Sequence, residues 1–359
     1  MRTKITVSII ILLISLAAGC APEQTFTGAG GIPDQWVLDG PIFTPGPTAS
    51  FDEAAVKDPS IVYHDGKWHM FYTAVHNNRN TIGYVSAKSL KKLQIARRFQ
   101  LRQLHGKNQG SFIAAPQVFY FKPQKTWYLI YQTNDARTQP VYSTNKDIED
   151  YKSWTSPQKL IEKDEPNIKW VDFWVICDNS TAYLFYSRAG KDFYVRTTSI
   201  KDFPNGFGPG QLALAATAKP TAEAAHIYKA KGQNQYHMFY ETNTVGYRRY
   251  GLATAENPLG PWTKVTDEYA TPLRLYWPKP EKAWTEDISH GEMLRTGSNQ
   301  KLEYNPENPQ FLVQGMLKDQ YNDKYPSWPW KLGIARPGRS QNPLLTDTTK
   351  EVTNKTQKP

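Results

Sequence analysis

The strongest constraint in this sequence is a strand–turn–strand unit that occurs five times. Ser60-Ile61-Val62-Tyr63, a His64-Asp65-Gly66-Lys67 turn and Trp68-His69-Met70-Phe71-Tyr72 make the first, two alternating strands around an Asp-Gly turn. The same pattern joins Pro116–Phe121 to Trp127–Tyr131, Phe173–Cys177 to Ala182–Tyr186, Ala225–Lys229 to Gln235–Tyr240, and Glu292–Arg295 to Gln310–Gln314. Unit starts at Asp58, Ala115, Asp172, Glu223 and His290 lie 57, 57, 51 and 67 residues apart. Further strand-like runs follow the hairpins, such as Thr81–Ser86 and Phe193–Thr197. Four short strands per unit, repeated at this period, describe the blades of a propeller. No segment carries a convincing helical periodicity, which sets α/β folds aside. The expectation is an all-β, five-bladed β-propeller over residues 36–337.

In a propeller the first strand of every blade starts near the central axis, so residues far apart in sequence converge there. Three of the five starts carry a carboxylate (Asp58, Asp172, Glu223) and a fourth carries His290. Gathering acids on one axis is unfavourable by like-charge repulsion unless it serves chemistry or a metal. Taken singly, Asp58 before a proline is more often a turn residue, and Glu223 between alanines more often an exposed loop acid. Asp172 is the odd one, because it enters the apolar run Phe173–Cys177. A lone histidine such as His290 is more often structural.

The N-terminus is a separate matter. Met1-Arg2-Thr3-Lys4, an apolar run from Ile5 to Ala18 and then Gly19-Cys20 have the layout of a secretory signal. Leu16-Ala17-Ala18-Gly19-Cys20 looks like a bacterial lipobox, so the expectation is a signal over 1–19, lipidation at Cys20 and a bacterial cell-envelope location outside the cytoplasm. Without the anchor the protein would be extracellular. Residues 20–35 read as a flexible tether and 338–359 as a polar tail. With Cys20 lipidated, Cys177 is the sole remaining cysteine, and its apolar neighbours make it a buried, inert thiol. Basic residues outnumber acidic ones by 43 to 33, but they are scattered and match no nucleic-acid-binding pattern. Phosphate-binding glycine loops and the G-x-S-x-G elbow of serine hydrolases are also missing. A monomer is expected.

From about Val56 to about Arg336 the sequence resembles the five-bladed glycoside hydrolases, most closely glycoside hydrolase family 62, the α-L-arabinofuranosidases. Val56-Lys57-Asp58 is similar to the family's base-bearing stretch, and Ala115–Phe121 to its second-blade signature. Val171-Asp172, with Asp202–Gly208, resembles the third blade, and Ala222-Glu223-Ala224 with Gly232–Tyr236 the fourth. Trp284–Glu292, containing His290, is the most specific match. Asp58-Pro59-Ser60 reads more like the related family 43, and Phe173 stands where family 62 commonly has a polar residue.

The resemblance implies Asp58 as general base, Glu223 as general acid and Asp172 as the carboxylate that raises the acid's pKa. It also implies an axial calcium beside His290, held largely through water. An inverting glycosidase needs its two carboxyls about 6.5–9.5 Å apart to admit a water, and blades one and four of a five-membered ring suit that gap. Lys57, Arg248, Gln314 and Tyr321 are candidate sugar contacts at the rim. Trp68 and Trp127 read as core, and Trp284 as either. The implied partner is a plant cell-wall polysaccharide, arabinoxylan or arabinan, losing arabinofuranosyl branches. A family-43-like xylosidase or arabinanase, and a non-catalytic glycan-binding lipoprotein, are the alternatives.

Overall fold

The computed structural model describes residues 27–28, 32–33, 35–106, 112–133, 140–162, 164–165, 167–215, 222–243, 248–271, 274–279, 282–321 and 327–338. Cys20, the expected signal over 1–19 and the residues beyond 338 lie outside them. No helix among the described residues is long and apolar enough to cross a membrane.

Five antiparallel sheets form the blades of a β-propeller. Their inner strands are Ala55–His64, Ile113–Phe121, Trp170–Cys177, Ala222–Ala230 and Asp287–Met293. Blades one to three run outward in chain order, and blade four adds a short parallel pairing with Glu303–Tyr304. Blade five is completed from the other end of the chain. Gln35–Phe43 pairs antiparallel with Lys331–Gly338, so the N-terminal strand closes the ring. Within the stretch expected to be a tether, Thr27–Gly28 pair with Ile32–Pro33, and Ile32 packs on the core.

Every inner strand is interrupted at the same place. The register against the second strand slips between Lys57 and Ser60, Ala114 and Gln117, Val171 and Trp174, Glu223 and His226, and Ser289 and Glu292. A bulge of this kind bends the strand and re-aims a side chain. In four blades its first residue has left-handed backbone: Asp58 (φ 48°), Ala115 (51°), Asp172 (58°) and Ala224 (52°). Non-glycine residues enter that region at a penalty of about 1–3 kcal/mol, typically where function requires it. The fourth repeat is therefore aligned on Ala224, and Glu223 sits one residue earlier, level with Lys57, Ala114, Val171 and Ser289.

Two rings of hydrogen bonds hold the inner strands together. In the lower ring, Val118 N donates to Ser60 Oγ (3.0 Å) and Val175 N to Gln117 Oε1 (2.7 Å). Trp174 Nε1 donates to Ile227 O and His226 Nδ1 to Gly291 O, both at 2.9 Å. Ile61 N donates to Glu292 Oε2 (2.7 Å), which completes the circuit. Arg295 anchors this end. It pairs with Glu292 (2.7 Å) and donates to Ile61 O and Val118 O, so it ties blade five to blades one and two with no exposure to solvent.

In the upper ring, the N–H of each bulge residue meets a side chain from the neighbouring blade. Asp58 N donates to Gln314 Oε1 (2.7 Å), Ala115 N to Thr73 Oγ1 (2.9 Å), Asp172 N to Gln132 Oε1 (3.0 Å) and His290 N to Glu241 Oε2 (2.8 Å). By register the fourth acceptor would be Ser187, the partner of Val171. Its hydroxyl is buried and makes no hydrogen bond among the described residues, and Ala224 N donates instead to Asp172 Oδ2 (3.2 Å). At this position an axial carboxylate takes the place of the second-strand side chain.

Candidate active site

The upper ring forms the floor of a cavity of about 380 Å³, within the size range of small-molecule sites. Asp58, Asp172, Glu223 and His290 all line it, as do Lys57, Arg248 and Gln314. The sequence-predicted residues thus meet in one place, with the exception of Tyr321. That residue stands outside the cavity lining, donates its hydroxyl to Asp287 Oδ2 and stacks on Trp328. Trp284 is core: it is 5% exposed and packs against Gly40 and Gly333. Trp127 is buried and Cys177 likewise, and burial pushes the Cys177 thiol far above its ordinary value.

Asp58 and Asp172 are 9% and 7% exposed. Each is aimed by the bulge that gives it left-handed backbone, and each has its N–H held by a glutamine of the preceding blade. Gln314 uses both ends of its amide, accepting from Asp58 N and donating to Ser289 Oγ (3.2 Å), so it positions the aspartate. His290 Nδ1 lies 3.8 Å from Asp58 Oδ1 and 3.9 Å from Asp172 Oδ1, between the two carboxylates. Beneath it, His226 meets the His290 ring edge-on, and burial holds that imidazole well below its ordinary pKa.

Glu223 is raised to about 7. Burial is the largest cause, followed by the charges of Asp172 and Glu241, with Lys169 and Arg248 opposing. Asp172 is itself pushed up, chiefly by burial, with His290 pulling it back. Two carboxyls that repel each other across one cavity titrate as a pair. One is thereby kept protonated near neutral pH while Asp58 faces the same space from blade one.

Glu241 is the site residue that the sequence reading missed. It accepts from His290 N, Ser289 Oγ (2.6 Å) and Arg248 Nη1, and it is 5% exposed. The hairpin register contains the signal, since Glu241 lies directly opposite Glu223. Gln132 and Lys169 were also missed. Among the described residues no three His, Cys, Asp or Glu side chains surround a common point as a metal centre. A calcium ion takes six to eight oxygens, so one beside His290 would draw most of its shell from water.

The profile of glycosyl hydrolase family 62 matches residues 42–336. The chain belongs to that family. It is 33% identical over 311 residues to alpha-L-arabinofuranosidase C of Cellvibrio japonicus (strain Ueda107), which covers 85% of this chain. It spans about half, 47%, of that relative's length. The catalytic domain of a family 62 α-L-arabinofuranosidase from Coprinopsis cinerea superposes with a TM-score of 0.77 at 34% identity, covering 85% of this chain and 97% of its own. A family 62 hydrolase solved with xylotriose gives 0.76 at 29%, with 85% and 98% covered. In this family 62 chain, the cavity at the propeller axis is the candidate active site.

Proposed function

We propose that this family 62 hydrolase is an α-L-arabinofuranosidase that removes single arabinofuranosyl branches from arabinoxylan-type polysaccharides with inversion. The observation that carries the reading is the pairing of Asp58 with a Glu223 raised to about 7, across one cavity and from two non-adjacent blades. The relative solved with xylotriose supports a xylan-like main chain beside that cavity.

In this mechanism Glu223 donates its proton to the glycosidic oxygen as the bond to the anomeric carbon lengthens. Asp58 takes a proton from a water on the opposite face of the sugar, and that water's oxygen becomes the new anomeric hydroxyl. The positive charge that develops on the sugar is stabilised by Asp58 and Asp172, both of which are fixed before substrate arrives. Asp172 has two duties: it holds Ala224 N, which orients the residue next to Glu223, and its charge keeps Glu223 protonated. Arg248 is braced by Glu241 and Ser289, which leaves it a fixed donor at the cavity wall. His290 would hold a calcium ion largely through water, and the ion would supply positive charge at this end of the cavity.

We also infer export and anchoring through Cys20 in the cell envelope, and action as a monomer, from the N-terminal pattern and the single-domain fold. Lipid on Cys20 is tested by mass spectrometry of the intact protein from a bacterial host. Proton NMR of an arabinoxylan oligosaccharide with the enzyme tests the activity. β-Arabinose as the first sugar released is the expected result. α-Arabinose first would overturn inversion, and xylose first would move the protein to the xylosidase reading.

A further inference from the structure

A second and larger depression of about 850 Å³ meets the catalytic cavity at Asn80, which lines both. Its walls come from the hairpin end at His76 and Arg79, the outer strand of blade one and the turn Arg102–His105. Four arginines line it: Arg79, Arg97, Arg98 and Arg102. Arg98 is matched by Asp52 at 2.7 Å. The other three make no ion pair among the described residues. Arg102 Nε donates to Gln100 Oε1, and Arg97 lies over the ring of Phe99, which stacks on Tyr151 at 3.9 Å. No Asp or Glu is among the lining residues.

At the junction, Asn80 is 2% exposed, and its buried Oδ1 accepts no hydrogen bond among the described residues. A buried acceptor left unanswered is unfavourable. A ligand hydroxyl lying across the two depressions would supply the missing donor. Arginine forks match carboxylates in two-point fashion. Arg98 is paired with Asp52 and His76 with Glu53 (2.8 Å), which leaves three arginines without an ion pair among the described residues. Such a groove, continuous with a sugar site and with a buried acceptor at the seam, suits a chain that carries both hydroxyls and carboxylates.

We propose that this groove binds uronic-acid residues of the same polysaccharide, next to the neutral branch cleaved in the cavity. The proposal rests on the glycosidase reading of that cavity, and its test is separable from it. The probe is arabinose-free glucuronoxylan, with polygalacturonate as the second uronate source, in affinity electrophoresis of the full chain. Retardation by either polymer supports the proposal, provided that reducing the uronate carboxyls to alcohols removes it. R97Q/R102Q, at two exposed positions, is expected to weaken retention about tenfold through the loss of two charge-assisted contacts. The same variant should release arabinose from a neutral arabinoxylan oligosaccharide as the parent does. Equal retention by neutral xylan, undiminished binding of the double variant, or equally strong retention by dextran sulfate would overturn it. Retention without any arabinose release would instead overturn the glycosidase reading and leave the groove in place.

Discussion

Replacing Asp172 by asparagine separates its two duties. Asparagine still offers an oxygen to Ala224 N, so the backbone next to Glu223 keeps its partner, but the negative charge is gone. Burial is the largest cause holding Glu223 near 7, and the Asp172 charge comes next. A like charge at close range shifts a carboxyl by roughly 1–3 pH units, and the lower end suits a contribution ranked below burial. The acid should then titrate about one unit lower, equivalent to about 1.4 kcal/mol. Glu223 acts only when protonated, so activity is lost as pH rises through its pKa. At about pH 7.5 the protonated fraction falls about eightfold in D172N, whereas at about pH 5 it barely changes. The assay is kcat/KM for arabinose release from an arabinoxylan oligosaccharide, followed from about pH 4.5 to about 8.5. The alkaline limb of D172N should move to lower pH, on top of whatever pH-independent loss accompanies it. A variant-to-parent ratio that stays constant with pH would refute the argument that Asp172 sets the acid's proton affinity.

The neutral variant E223Q tests the same environment through stability. The folded pKa of about 7 exceeds the ordinary 4.5, so the favourable contribution is complete below about 4.5 and is lost as pH rises through 7, where the ionised group costs about 3 kcal/mol. E223Q should therefore gain in Tm relative to the parent between about pH 5 and about 8 by thermal unfolding, and a difference independent of pH would count against it. Arg295→Met leaves Glu292 buried without its partner and frees two blade carbonyls; a loss of about 3–5 kcal/mol, or roughly 5–10 °C in Tm by calorimetry, is expected. Removing calcium with a chelator should lower Tm and activity together, with recovery on adding calcium back. No change in either would remove the ion from the proposal.

The blade count, the core hairpins and the three axial acids were legible because each belongs to a local pattern. An alternating strand and an Asp-Gly turn occupy adjacent positions, so Ser60–Tyr72 announces its own hairpin. Glu241 was not legible in that way. Nothing around it differs from any acid at the end of a strand, and its meaning arises from facing Glu223 in register and His290 N across the blade interface. The one-residue offset of Glu223 has the same origin. Spacing alone aligned it with Asp58 and Asp172, but the bulge, marked by left-handed backbone, falls on Ala224. The offset also supports the assignment of roles. Asp58 and Asp172 lie on strained bulge backbone that fixes their direction and are held to the ring by their own N–H groups. Glu223 precedes the bulge on paired strand, with a longer side chain and without that restraint. A base that must fix one water gains from rigidity, and an acid that must follow a departing oxygen gains from reach. Asp172 is rigid for a further reason: where Ser187 makes no bond among the described residues, it completes the circuit of hydrogen bonds and sets the proton affinity of the neighbouring acid with the same carboxylate. The ring that closes the fold and the set of carboxylates that does the chemistry therefore share a member, so substitutions at Asp172 should be harder to tolerate in stability than those at Glu223.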